Sequence, residues 1–113
     1  MGYIAHTPMI VIGFQEKAVR EARAVARDIF DGVAPVSEIL VSPVNDCFSF
    51  MVGPDGSKEG WLHSDEGDAA RRRFAAWVSR ARAESKWLDL IEVSLPEDQD
   101  PSARLIGREQ ELA

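Results

Sequence analysis

Residues 54–73, PDGSKEGWLHSDEGDAARRR, gather the side chains of this 113-residue chain best able to do chemistry. His63 has Glu59 and Asp65 within a few positions. An imidazole titrates near neutral pH and a carboxylate can orient it, so the trio could move a proton. Trp61, set among glycine, lysine and glutamate, offers either a flat face for a planar ligand or a plug for a sheet edge. Lys58 and Arg71 add positive charge. Lys58, Glu59, Trp61, His63 and Arg71 are therefore the candidate ligand- or partner-binding residues. Counted from Asp55, the stretch also imitates a calcium loop, with Ser57 third, Glu59 fifth, Gly60 sixth, His63 ninth and Glu66 twelfth. Glu59 is long for its place, Ser57 brings only a hydroxyl, and no helix precedes the loop, so no metal site is assigned. GxxxxGK[ST] and GxGxxG are absent, and no nucleophile arrangement can be traced. We assign no catalytic residue and no cofactor.

The same residues have a structural use. Pro54-Asp55-Gly56-Ser57 is turn chemistry. Ser64 or Asp65 suits the N-cap of a helix beginning near residue 66, with Asp68 in its first turn. Arg71 and Arg72 follow Asp68 at the three- and four-residue spacing of helix ion pairs. The polar stretch thus reads as an ordered corner leading into a helix.

The elements that position it follow from periodicity. TPMIVIGF, residues 7–14, is a short apolar run that suits a strand buried on both faces. Residues 15–30 carry Ala18, Val19, Ala22, Val25, Ala26, Ile29 and Phe30 at helical spacing, closed by Asp31-Gly32 and Pro35. VSEILVS and DCFSFMV alternate around Pro43-Val44-Asn45-Asp46, which predicts a hairpin because Asn and Asp tolerate positive φ. Residues 66–84 form a second helix with Ala70, Phe74, Trp77, Val78 and Ala81 on one stripe. WLDLIEVSL is the last strand, with Ile91, Val93 and Leu95 read as its core face. The expected core is Val11, Val25, Phe48, Phe50, Phe74, Val78 and Ile91. The order β-α-β-β-α-β predicts an α+β ferredoxin-like sandwich, a four-stranded antiparallel sheet with two helices on one face. Residues 1–95 form one domain and 96–113 an acidic, mobile tail.

Net charge is −6, from 13 basic and 19 acidic residues, and half of it lies in the tail. That balance is wrong for displacing counterions from phosphates, so nucleic acid is not an expected partner, although Arg71, Arg72, Arg73, Arg80, Arg82 and Lys86 share one helix. The lone Cys47 suits a reducing cytoplasm. The N-terminal apolar run falls short of the ~20 residues of a membrane span and lacks a basic leader, so the expectation is a soluble protein that is not exported. Helices on one side only would leave Cys47, Met51, Leu88 and Leu90 on an uncovered sheet face, which predicts a homodimer.

The SPVN hairpin of Ser42–Asn45, the PDGSKEGW loop of 54–61 and the spacing Gly67-Asp68, Arg71, Phe74, Trp77 carry a resemblance. Over residues 7–95 the chain resembles a group of small uncharacterised bacteriophage proteins with a PDGSKEGW loop and a GDxxRxxFxxW helix. The resemblance implies a phage origin and a role in the cytoplasm of an infected bacterium, and no activity. The expected function is a non-catalytic accessory protein that binds a host protein or sequesters a small nucleotide-like signal. The alternative is a small enzyme around His63, Glu59 and Lys58.

Overall fold

The computed structural model describes residues 5–57, 62–84 and 86–106. Its elements are β1 (Ala5–His6), β2 (Met9–Gly13), α1 (Glu16–Ile29), β3 (Leu40–Val41), β4 (Phe48–Val52), α2 (Leu62–Ala83), β5 (Leu88–Pro96) and β6 (Ser102–Ile106). The class is α+β with two helices and an antiparallel sheet of six strands rather than four. The strand order is β1-β5-β2-β4-β3, with β6 on the other edge of β5. β1 and β2 pair with β5 in one unbroken register, Ala5 opposite Pro96 and Met9 opposite Glu92. They are one extended segment interrupted at Pro8, which has no N–H to give the ladder but whose carbonyl accepts from Val93 at 2.9 Å.

Directly paired residues share a face, so the register sorts the side chains. One row crosses the sheet as Phe50, Val11, Leu90 and Ile106, all buried against the helices. Phe48, Gly13 and Leu88 form a second such row. α1 covers these rows with Ala18, Val19, Ala22 and Ala26, and α2 with Ala70, Phe74, Val78 and Ala81. The small alanines let the helices approach, and Phe30 meets Phe74 edge-on with ring centroids 5.9 Å apart. A Cβ on Gly13 would lie 2.8 Å from the Trp87 carbonyl and 2.9 Å from Val19, so glycine is required where α1 leaves the sheet.

The hairpin turn behaves as its residues predict: Asn45 and Asp46 have φ of 67° and 47°. Its first strand is much shorter than VSEILVS. Val36 bridges Val52 while Leu40 pairs Ser49, a shift of one residue that marks a bulge between them. Ser37 fills the irregular stretch, its Oγ accepting from the Met51 N–H at 2.8 Å.

Four expectations are corrected. The acidic tail is not mobile throughout, because residues 102–106 form β6 against β5. The core face of β5 is Leu88 and Leu90, and Ile91 and Val93 lie on the opposite face only partly buried. That strand is apolar on both sides near its start, so alternation could not choose between them, and a slip of one residue exchanges every side chain. Val25 packs at the edge of the core and is only partly buried. α2 begins at Leu62 and not near 66, so Ser64 and Asp65 lie inside its first turns. Val11, Phe48, Phe50, Phe74 and Val78 are buried as expected.

Candidate functional site

The chemistry-bearing stretch resolves into a polar staple and a cleft beside it. Asp55 ends the path out of β4 and folds back on its own turn. Its Oδ1 accepts from the Ser57 N–H at 2.8 Å and the Ser57 hydroxyl at 2.7 Å. Its Oδ2 accepts from Arg71 Nη1 at 3.2 Å. Arg71 Nη2 reaches Asp68 Oδ1, three residues back along α2, at 2.5 Å. The Arg71 and Asp55 side chains are 10% and 9% exposed, so this pair is out of water and each partner depends on the other.

Gly67 explains how the loop gets so near the helix. A Cβ there would sit 2.0 Å from Asp55 Oδ2. A glycine that reads as a weakness inside a helix is the opening through which the carboxylate reaches Arg71. Burial on its own pushes the Asp55 carboxyl up. The Ser57 hydroxyl and N–H, then the Arg71 guanidinium, outweigh it and hold the carboxyl below its ordinary value.

That geometry bears on the first position of the calcium-like loop. The Asp55 oxygens face a guanidinium and two donors, which is the wrong charge environment for a cation. Among the described residues no cluster of His, Cys, Asp and Glu is arranged to hold a metal ion. Lys58, Glu59 and Trp61 lie outside the described residues. His63 stands exposed on the first turn of α2, and Arg71, the remaining candidate, is consumed in the staple.

Basic residues of α2 and of the turn after it are engaged in the same way. Arg71 is held by two aspartates, Arg82 by the Leu88 carbonyl at 2.6 Å and Asp89 at 3.1 Å, and Lys86 by Glu21 at 2.9 Å. Lys86 also lies 5.8 Å from the centre of the Trp77 ring. Three of the six cations thus have carboxylate partners within the fold.

Beside the staple, a cleft of about 360 Å³ opens between α2 and the helix-facing side of the sheet. α2 contributes Asp68, Arg71, Arg72 and Ala75, and the sheet contributes Thr7, Glu92, Ser94 and Arg104. The sheet row that starts as Val52 and Met9 turns into Glu92 and Arg104 as it crosses to β5 and β6. Arg104 Nη2 lies 3.3 Å from Glu92 Oε1. The sequence reading missed Thr7, Glu92, Ser94 and Arg104. The one available signal is that Glu92 and Ser94 alternate with the apolar residues of β5.

No family model, no curated protein and no solved structure matches this chain. Among the described residues no helix is long and apolar enough to cross a membrane.

Proposed function

We propose that the chain is a non-catalytic phage accessory protein working in the host cytoplasm by binding, capturing a host protein or sequestering a small nucleotide-like signal, and that it does so as a homodimer. The observation that supports this reading is the sheet face turned away from the helices. Met51, Ile10, Ile91 and Leu105 form one apolar row across four strands, flanked by Leu40, Ile12 and Val93. Met51 is 43% and Leu40 67% exposed.

Four strands about 4.8 Å apart, each with five or more residues, make a patch on the order of 300 Å². That is the size of the largest apolar patch on many monomers, a kind of patch that is often functional, and the ~800 Å² per partner of a standard interface would take in its rim as well. The charge on these rows is Asp89, which Arg82 already engages, so two copies meeting across a two-fold axis encounter no like-charge clash. We further read the core as ferredoxin-like: the order β5-β2-β4-β3 is what two split β-α-β units produce, with β6 added at the edge.

Light scattering coupled to size exclusion at micromolar concentration is expected to report about twice the 12.5 kDa chain mass. Met51→Glu, a change on the partly exposed face, is expected to return the monomer with its fold intact. A monomeric parent chain overturns the dimer and leaves the face to a host protein. If that monomer also fails to retain any protein from infected-host lysate, or to protect a nucleotide from hydrolysis, the binding reading falls with it.

A further inference from the structure

We propose that the cleft between α2 and the β5–β6 edge binds a small zwitterion, a molecule of amino-acid size with one anionic and one cationic group. The site lies on the helix-covered side of the sheet, so it is independent of the open face and stands whether or not the chain pairs.

A helix laid on a sheet is normally sealed by apolar side chains. Here the seal stops at Leu90, Met9 and Ile106, all buried, and the next positions outward are polar. Among the described residues that line the cleft, Ala75 is the one apolar type, and the others bring charges and hydroxyls. Keeping charges where valine or isoleucine would fit breaks the local rule of packing, and such breaks concentrate at functional sites.

Three charges have capacity to spare. The Glu92 side chain is only 20% exposed, yet among the described residues its partner is Arg104 alone, through one oxygen at 3.3 Å. Oε2 is left to accept from a ligand's ammonium group. Across the cleft Arg72 is exposed and has no partner among the described residues. The Arg104 side chain is 66% exposed and spends one nitrogen on Glu92, which leaves most of its donor fork free for a carboxylate. The opposed signs match a zwitterion. A polyphosphate would meet Asp68 and Glu92 along with the arginines, and the volume of about 360 Å³ lies at the small end of ligand pockets.

The test is a backbone-amide NMR titration of the full chain with glycine, β-alanine and γ-aminobutyrate, which carry the same two charges at increasing separation. Acetate and methylammonium serve as single-charge controls. At least one amino acid is expected to shift the amides of Arg72, Glu92, Ser94 and Arg104 saturably, about tenfold more tightly than either control. Glu92→Gln and Arg72→Ala are each expected to weaken that binding by about tenfold or more. Arg72 makes no contact that the fold needs, so its variant decides the matter even if Glu92→Gln fails to fold. Equal binding of acetate makes the cleft a plain anion site and overturns the proposal. So does the absence of any saturable shift up to roughly 50 mM, which is weaker than any specific site.

Discussion

At its C-terminal half α2 lays Phe74, Val78 and Ala81 on Leu88 and Leu90, a dry contact of fully buried side chains. At its N-terminal half the same helix sets Gly67 and Arg71 against Asp55, then stands off the sheet above Glu92 and Arg104. The first contact is non-directional and gains with every apolar ångström removed from water. The second works only while each donor meets its acceptor, because a buried charge without its partner costs more than the pair ever contributes. One helix therefore has an end that tolerates repacking and an end that tolerates almost no change of geometry.

The comparison can be broken at either end. Phe74→Ala removes a ring that touches both Phe30 and Trp77, and is expected to destabilise the fold by about 3–5 kcal/mol in chemical denaturation. A loss below about 1 kcal/mol would mean the dry end is not where the stability lies.

At the polar end, Asp55→Ala leaves Arg71 buried with Asp68 as its one remaining carboxylate, and is expected to cost roughly 2–4 kcal/mol. Gly67→Ala separates propensity from geometry. Alanine favours a helix by about 1 kcal/mol over glycine, but its methyl group would displace the Asp55 carboxylate. The expected net result is a loss of about 1–3 kcal/mol in the parent chain and none, or a gain, in an Asp55→Ala background. The same loss in both backgrounds would refute the close approach as its cause.

The staple also sets a pH response. Asp55 titrates below its ordinary range when folded, so its contribution is present above the unfolded value near ~3.9 and drains away as pH falls through the lower folded value. Asp55→Asn is expected to be less stable at neutral pH and to lose less stability than the parent between neutrality and about pH 3. Parallel stability–pH curves would show that Asp55 is not the group responsible. The smallest effect belongs to the cleft wall: Arg104→Ala removes a largely exposed arginine that meets Glu92 through one 3.3 Å contact, and is expected to change stability by less than about 1 kcal/mol.

Legibility followed the same division. The α1 stripe, the Asn45-Asp46 turn and the partnership of Asp68 with an arginine three residues on were readable because each is a local matter of spacing or backbone conformation. The start of α2 was misplaced because Ser64, Asp65 and Gly67 have the composition of a cap. What makes Gly67 acceptable inside the helix is a carboxylate twelve positions earlier. β6 was hidden because a short acidic segment without a sustained period becomes a strand only when β5 offers it an open edge.

By itself, then, the sequence determined the class of the fold, two helices and several strands in alternating order, along with most of the core, since 3.6- and two-residue periods act within one element. The tertiary structure decided the face of β5, the six-stranded sheet, the Asp55–Arg71 pair and the polar cleft. Each depends on register or on contacts between residues far apart in the chain, and no local periodicity encodes which distant strand edge or charge a segment will meet.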